Sequence, residues 1–169
     1  RILLNRYGIR QKPVAYHEHN AAEAGPRLIA ALEEGRSVAL VSDAGTPLVS
    51  DPGFRLVGQA LERGLKIVPV PGPSAVLAAL TVSGLPADAF LVAGFLPAKD
   101  GQRRTRLEEL RHVPATLIFV ESPHRIADSL AAMADVLGGD RQAATGRELT
   151  KTFEETRTGT LAALATAYH

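Results

Sequence analysis

Cysteine is absent from the 169 residues of this chain. Its absence excludes a disulfide framework, zinc sites built on thiolates and catalysis by a cysteine nucleophile. A chain without cysteine suits a reducing compartment, and we expect a cytoplasmic protein. No cluster of other metal-ligating residue types is present in the sequence, so no metal site is predicted.

Long apolar runs and an excess of charge of one sign are also absent. No apolar run approaches the roughly 18 residues that a membrane-spanning helix requires, so no membrane partner is predicted. The sequence contains 19 Lys and Arg against 18 Asp and Glu, a formal net charge of +1. Any contact with nucleic acid would therefore have to come from a local basic patch.

The composition is that of a globular protein, with 46% hydrophobic and 22% charged residues. Apolar runs typical of buried strands alternate with segments of helical period, which predicts an α/β fold. Turn-forming residues interrupt this pattern at 84–88 and mark the best position for a linker. We therefore expect two α/β lobes, comprising residues 1–86 and 87–169.

Sequence patterns predict the individual elements. Asn20 and Glu23 resemble a capping box that opens a helix ending near Gly35. A later helix carries one apolar stripe, made of Phe54, Val57, Ala60 and Leu61. The other predicted elements are strands at 37–41, 65–70, 89–95 and 116–120, a helix at 75–83, a helix with the stripe Ile126, Leu130, Met133 and Leu137, an extended segment or hairpin at 146–160, and a helix at 161–168.

The most informative stretch is the loop that follows the strand predicted at 37–41. It reads Ser-Asp-Ala-Gly-Thr-Pro-Leu-Val-Ser-Asp-Pro-Gly over 42–53, which is too polar and too kinked for a core. Ligands of open α/β sheets bind beyond the carboxyl ends of the strands, so this loop is predicted to bind a ligand. Asp43 is a candidate hydrogen-bond acceptor for that ligand, or else a turn residue. Gly45 permits close backbone approach, and Asp51 is expected to cap a helix with Pro52 at its first position.

Two further segments follow predicted strands. Residues 71–74, Pro-Gly-Pro-Ser, start a helix, so their amides and hydroxyl suit an anionic group, although a simple tight turn explains them as well. Glu121 follows the strand at 116–120, with Ser122 and Pro123 as the expected cap and first turn of the next helix. Glu121 and His124 would then face the ligand crevice.

A basic cluster occupies the segment 99–111. Its members are Lys99, Arg103, Arg104, Arg106 and Arg111. One interpretation is a solvated helix in which Glu108 and Glu109 form local ion pairs. We favour contact of Lys99, Arg103 and Arg104 with an RNA backbone, without base stacking, because no aromatic residue is interleaved.

Together these motifs resemble the signature of the ribosomal RNA small-subunit ribose 2′-O-methyltransferase I family, a branch of the tetrapyrrole methylase superfamily. The resemblance rests on the loop at 42–53 and on four further blocks in the expected order. These blocks are Pro-Gly-Pro-Ser-Ala at 71–75, Phe-Leu-Pro at 95–97, Glu-Ser-Pro-His-Arg-Ile at 121–126 and Gly-Arg-Glu-Leu-Thr-Lys at 146–151.

The resemblance implies a two-lobed tetrapyrrole-methylase-like fold with S-adenosyl-L-methionine held in the cleft between the lobes. It implies methyl transfer to the ribose 2′-hydroxyl of a cytidine in small-subunit ribosomal RNA, either free or in an assembled subunit, by a homodimer. The cofactor-binding residues it implies are Asp43, Ala44, Gly45, Thr46, Pro47, Leu48, Val49, Gly72, Pro73, Ser74, Ala75 and Val120. Glu121 is the expected proton acceptor, with Asp43 and His124 as alternatives. It also implies a leading strand before Arg1 and closing strands after His169.

Two other functions stay open at this point. A tetrapyrrole methyltransferase of the same fold is the first, although relatives that modify tetrapyrroles usually carry an acidic residue where this chain has Thr46. A cofactor-binding module without catalysis is the second. A conventional Rossmann methyltransferase is disfavoured, because no G-x-G-x-x-G follows a predicted strand.

Overall fold

The computed structural model of the chain describes residues 2–42, 46–49 and 52–169. The chain forms two compact units, Arg1–Gly72 (unit 1) and Pro73–His169 (unit 2). Helices and strands are both present, and the predicted α/β class is confirmed. The lobe boundary at residues 86 and 87 stays a prediction.

Unit 1 is helical over the residues that the structure describes. Its helices are α1 (Ile2–Arg6), α2 (Ala21–Glu33) and α3 (Phe54–Glu62). Helices α2 and α3 pack around Ile29, Leu56 and Ala60, with partly buried neighbours at the rim. An ion pair at 3.2 Å between Arg63 and Glu33 joins the ends of the same two helices.

The capping box predicted at the start of α2 is wrong. Asn20 is the residue before the helix, but its side chain makes no capping hydrogen bond. Instead its Oδ1 accepts from the amide of His17 at 2.8 Å, and its Nδ2 donates to the carbonyl of Ala15 at 2.8 Å. Glu23 pairs with Arg27 one turn further along. The side chain of Asn20 therefore closes the preceding turn and does not cap α2.

The strands predicted at 37–41 and 65–70 are not formed as strands in the described part of unit 1. Their apolar side chains are exposed at Val41, Val68 and Val70. A strand requires a hydrogen-bonding neighbour, and no ladder pairs either segment within the residues described. The apolar pattern identified segments able to form strands but did not supply their partners.

Helix α3 also differs from its prediction. It begins at Phe54 with Gly53 as its N-cap, so Pro52 is not its first helical residue. Asp51 lies outside the described residues. The buried face of α3 is formed by Leu56 and Ala60, while Phe54 and Leu61 of the predicted stripe are exposed. Because α3 packs mainly against α2, the contact is narrow and leaves the remaining apolar positions uncovered.

Unit 2 contains helices and strands in alternation. The elements are α4 (Ala75–Val82), β1 (Phe90–Phe95), α5 (Asp100–Leu110), β2 (Thr116–Val120), α6 (Ile126–Leu137), β3 (Gln142–Arg147), β4 (Glu155–Thr160) and α7 (Leu161–Ala167). These confirm the predicted strands near 89–95 and at 116–120, the helices, and the hairpin alternative for 146–160.

The strands of unit 2 form two pairs. Strands β1 and β2 are parallel, with a bulge between Val92 and Gly94, and β3 and β4 are antiparallel. Gly94 has φ +73°, the left-handed conformation that glycine adopts without steric cost and that a bulge exploits. The parallel pairing brings the residues after Phe95 and Val120 to the same edge.

The core of unit 2 is larger than that of unit 1. Helices α5, α6 and α7 bury one continuous cluster, made of Leu96, Leu107, Leu130, Ala132, Met133, Val136, Leu161, Leu164 and Ala165. The predicted stripe of α6 is confirmed, with Leu130 and Met133 buried and Ile126 and Leu137 packed at the rim. This core fixes α6 beneath the carboxyl end of β2.

Candidate functional site

The loop predicted to bind the cofactor is described only in part. Asp43, Ala44 and Gly45 lie outside the described residues. Thr46 to Val49 form a turn in which the amide of Val49 donates to the carbonyl of Thr46 at 3.3 Å. Leu48 has φ +72°, a conformation that costs a non-glycine residue about 1–3 kcal/mol and that clusters at ligand-binding loops.

Gly53 is the residue against which this turn packs. A β-carbon at Gly53 would lie 2.6 Å from Leu40 Cδ2 and 3.3 Å from Leu48 Cδ1. Gly53 is buried and has φ +135°, so a side chain there would be strained as well as crowded. The turn at 46–49, which includes Pro47, therefore rests against the start of α3.

The second predicted cofactor segment, Gly72 to Ala75, leads into α4. Ser74 caps this helix, with its Oγ accepting from the amide of Leu77 at 3.4 Å. The carbonyl of Ser74 accepts from the amide of Ala78 at 2.9 Å. The amides of Ala75 and Val76 precede this first helical bond and have no acceptor within the helix. They are the groups that an anion would use at this position.

Glu121 follows Val120 at the end of β2, and its carboxylate is enclosed, with only 5% of the side chain exposed. Oε1 accepts from the amide of Ser122 at 2.8 Å. Oε2 accepts from the hydroxyl of Ser129 at 2.7 Å and lies 3.3 Å from Nη2 of Arg125. Both carboxylate oxygens are therefore already hydrogen-bonded by groups of unit 2.

Arg125 extends this network to the neighbouring strand. Its Nη2 donates to the carbonyl of Leu96 at 2.6 Å, directly after β1. Its Nε is buried and has no hydrogen-bond partner among the described residues. Arg125 belongs to the motif at 121–126 but had no predicted role, and Ser129 was not predicted as a site residue. The spacing of Glu121, Arg125 and Ser129 at four-residue intervals was the available signal.

The start of α6 corrects the prediction for Ser122 and Pro123. The helix begins at Ile126, with Arg125 as the N-cap. Residues 122–125 form a preceding turn, in which Ser122 Oγ accepts from the amide of His124 at 3.3 Å. His124 is exposed on this turn. The chain therefore forms one additional turn between Glu121 and the start of α6.

The three basic residues proposed for RNA contact have different environments. Lys99 is exposed and precedes α5. Arg103 is only 4% exposed, and its guanidinium donates to the carbonyls of Pro97 and Ala98 at 3.4 and 3.0 Å. Its contact with RNA stays a prediction, but these bonds favour a role in holding the turn after β1.

Arg104 joins α5 to α6. Its guanidinium lies 3.0 Å from both Asp100 and Asp135. The hydrogen bond to Asp135, followed by that to Asp100, raises the pKa of Arg104 above its ordinary value. Because the pair with Asp135 is long-range in sequence, helical spacing alone could not reveal it.

Neither a membrane-spanning helix nor a metal-binding group of side chains is found among the described residues. Across 2–42, 46–49 and 52–169, no helix combines the length and apolarity needed to cross a membrane. Within the same ranges, no three His, Cys, Asp or Glu side chains group in a way that could hold a metal ion.

Comparison with known proteins identifies the class to which this fold and site belong. The family model described as Tetrapyrrole (Corrin/Porphyrin) Methylases matches residues 4–165. The chain therefore belongs to the tetrapyrrole methylase family.

Curated relatives narrow this likeness to one kind of protein. The chain is 73% identical over 168 residues to Ribosomal RNA small subunit methyltransferase I of Mesorhizobium japonicum, covering 99% of this chain and 57% of the relative. Proteins of the same name are 54% identical in Pseudomonas aeruginosa, with coverage of 96% and 57%, and in Xylella fastidiosa, with coverage of 98% and 61%. The resemblance drawn from the sequence motifs is confirmed, and the chain spans a little over half the length of these relatives.

Proposed function

We propose that this chain is part of an S-adenosylmethionine-dependent methyltransferase that modifies a ribose 2′-hydroxyl, that of a cytidine, in small-subunit ribosomal RNA. The observation that carries the proposal is the 73% identity over 168 residues to a relative named as a ribosomal RNA small subunit methyltransferase. The 168 aligned residues include the motifs at 71–75, 121–126 and 146–151. A cytoplasmic homodimer is part of the same proposal.

The described residues fit the cofactor where its carboxylate is concerned. The first-turn amides of α4, at Ala75 and Val76, suit a carboxylate because they have no acceptor within the helix. A β-carbon at Gly72 would meet no heavy atom of the described residues within 4 Å. When bound, the sulfonium of S-adenosylmethionine supplies a methyl group that is already a good electrophile.

The task of the protein is then to position a ribose hydroxyl and to remove its proton. We propose that Glu121 positions Arg125, because both of its carboxylate oxygens already accept hydrogen bonds. Proton removal by Glu121 stays a weaker alternative for the same reason. Asp43 and His124 are the other two candidates, and the exposure of His124 suits a group that meets a substrate.

Contact with RNA on α5 is assigned to Lys99 first and to Arg104 second. The ammonium of Lys99 has no ion-pair partner among the described residues, whereas Arg104 already contacts two carboxylates. Arg103 is the least suited of the three to a phosphate, since two backbone carbonyls occupy its guanidinium.

The experiment is methyl transfer by the full-length protein from radiolabelled S-adenosylmethionine to small ribosomal subunits and to their free RNA. We expect label in the RNA and, after alkaline hydrolysis, one dinucleotide that resists cleavage because its 2′-oxygen is methylated. Label on a base would keep the RNA methyltransferase and reject the ribose as the acceptor. Cofactor binding without transfer to either RNA would reject the proposal in favour of a binding module.

A tetrapyrrole substrate is the second candidate, and the description of the matching family favours it. Uroporphyrinogen III in the same assay tests it directly. Transfer to this compound, with none to RNA, would replace the proposed function.

A further inference from the structure

A depression of about 490 Å³ opens in unit 2 beside the end of β2. Its lining residues are Glu121, Pro123, Gly146, Arg147, Glu148 and Phe153. It thus joins the turn after β2 to the carboxyl end of β3 and to the connection between β3 and β4. None of the functional roles given above uses the motif at 146–151, of which residues 146–148 line one side of this depression.

The connection between β3 and β4 is a fixed turn. Glu148 and Thr150 have φ +49° and +66°, and for a β-branched residue such as Thr150 a positive φ is a true outlier. The carboxylate of Glu154 accepts from the amide of Thr150, and the carbonyl of Glu148 accepts from the amide of Lys151 at 2.9 Å. These bonds hold the backbone in a conformation that the sequence alone does not favour.

Gly146 and Leu149 explain part of the motif. A β-carbon at Gly146 would lie 3.1 Å from Leu149 Cδ1, so glycine at this position makes room for the leucine. Gly146, Leu149 and Thr150 shape this turn, whereas the side chains of Arg147, Lys151 and Phe153 make no hydrogen bond with the described residues.

These three side chains are presented outward. Phe153 is 71% exposed, and the ammonium of Lys151 has no ion-pair partner among the described residues. Arg147 reaches Glu155 only at 4.0 Å, whereas Arg157 bonds the same carboxylate at 2.7 Å. That closer bond also raises the pKa of Arg157. Arg157 therefore binds Oε1 of Glu155, while Arg147 makes a longer contact with Oε2 and keeps 57% of its side chain exposed.

We propose that this depression, which we call the Arg147–Phe153 subsite, binds one nucleotide of a single-stranded RNA. The base stacks on Phe153, and the adjacent phosphate is bound by Arg147 with support from Lys151. An exposed aromatic ring beside cationic groups is the combination that single-stranded nucleic acid uses. The inference rests on the proposed function, because it assumes that RNA is the substrate.

Neighbouring carboxylates limit the number of phosphates that the subsite can hold. Glu154 is occupied by the amide of Thr150, and Glu121 is occupied by Arg125. Glu148 is the remaining carboxylate at the rim of the subsite. Because its negative charge repels phosphates, the subsite can bind only a few of them. A single nucleotide, which brings only one or two phosphates, meets this condition.

The test uses the full-length protein and a fluorescein-labelled ten-nucleotide RNA, with binding followed by anisotropy at several salt concentrations. Phe153→Ala should weaken RNA binding about tenfold, and Phe153→Tyr should restore it, because stacking on an aromatic ring tolerates the hydroxyl. Arg147→Ala should reduce the slope of log affinity against log salt by about 0.7, the value for one phosphate of a single strand. Phe54→Ala and Arg27→Ala, which remove exposed residues of unit 1, should change neither quantity.

Cofactor affinity and oligomeric state are measured on the same variants. Wild-type RNA affinity in Phe153→Ala would overturn the subsite. If Phe153→Ala instead loses affinity for S-adenosylmethionine, the ring contacts the adenine and the subsite is overturned. If the variant keeps its RNA binding but has a changed sedimentation coefficient, the ring belongs to a protein interface and the subsite is overturned as well. If the wild-type protein methylates RNA but Phe153→Ala has an unchanged KM for RNA, the subsite fails while the proposed function stands. If the wild-type protein methylates no RNA, the proposed function fails.

Discussion

Units 1 and 2 contain apolar runs of the same kind, yet within the described ranges only those of unit 2 form strands. The runs at 37–41 and 65–70 are as rich in Val, Leu and Ile as β1 and β2. In unit 2 the two runs pair with each other in parallel, whereas in the described part of unit 1 neither run is paired. An apolar run therefore encodes the capacity to form a strand, and the strand itself depends on a neighbouring edge.

The hydrophobic core of unit 2 is also larger than that of unit 1. Unit 1 buries a small cluster between two helices, while unit 2 buries a continuous cluster beneath three helices and its strands. Because stabilisation by apolar burial grows with the area removed from water, we expect the two units to respond unequally to equivalent substitutions.

The largest expected effect comes from Leu107→Ala in unit 2. Leu107 is fully buried, and removing a leucine side chain from a tightly packed core costs about 3–5 kcal/mol. The matched change in unit 1 is Leu56→Ala, at 5% exposure, for which we expect about 2–3 kcal/mol because fewer neighbours surround it. Urea unfolding followed by circular dichroism measures both, and an equal or larger loss for Leu56→Ala would break the comparison.

The next effect concerns the network at the edge of unit 2. Glu121→Ala removes an enclosed carboxylate and leaves Arg125 and Ser129 without their partner. We expect a loss of about 2–3 kcal/mol, below the full value for a buried pair because Arg125 is partly exposed. Glu108→Ala, which removes an exposed carboxylate on α5, is the control and should cost less than about 0.5 kcal/mol. Equal effects on unfolding would show that the network contributes nothing.

Two glycine substitutions in unit 1 are expected to change its free energy of unfolding in opposite directions. Gly53→Ala should destabilise by about 1–2 kcal/mol, because Gly53 has φ +135° and a β-carbon would crowd Leu40. Gly58→Ala lies inside α3, where a β-carbon would meet no described atom within 4 Å. We expect it to stabilise by about 0.5–1 kcal/mol. Thermal unfolding of both variants tests this, and destabilisation of similar size in both would argue against the packing of Gly53 on the turn at 46–49.

The smallest expected effect is the loss of a helix cap. Ser74→Ala removes the acceptor for the amide of Leu77, and Thr160→Ala removes the equivalent acceptor for Ala163 at the start of α7. Each should cost about 0.5–1 kcal/mol in urea unfolding. The two variants should differ in titrations with S-adenosylmethionine, since only Ser74 lies at the proposed carboxylate site. A loss of cofactor affinity in Thr160→Ala as well would indicate a general effect of stability.

The sequence predicted the elements of unit 2 well because their periodicity is local. Strand β2 was predicted with the bounds observed, and the predicted stripe of α6 contains the buried Leu130 and Met133 but not the buried Ala132 and Val136. The role of Glu121 was missed although Arg125 and Ser129 follow it at four-residue intervals, whereas that of Arg103 depends on the turn after β1. The bond from Arg125 to the carbonyl of Leu96 spans 29 residues, and that from Arg104 to Asp135 spans 31. Such pairings have no signature in residue spacing.

We propose that the two ligands bind at separate places, the cofactor at the loop 43–49 and RNA at the Arg147–Phe153 subsite. The most direct test is to titrate S-adenosylmethionine and single-stranded RNA separately into two variants of the full-length protein, Gly45→Val and Phe153→Ala. We predict that Gly45→Val loses cofactor binding and keeps RNA affinity, because a branched side chain obstructs close backbone approach. We predict the reverse for Phe153→Ala, with both variants retaining cooperative unfolding. Loss of both ligands in either folded variant, or of neither ligand in both variants, would contradict the account.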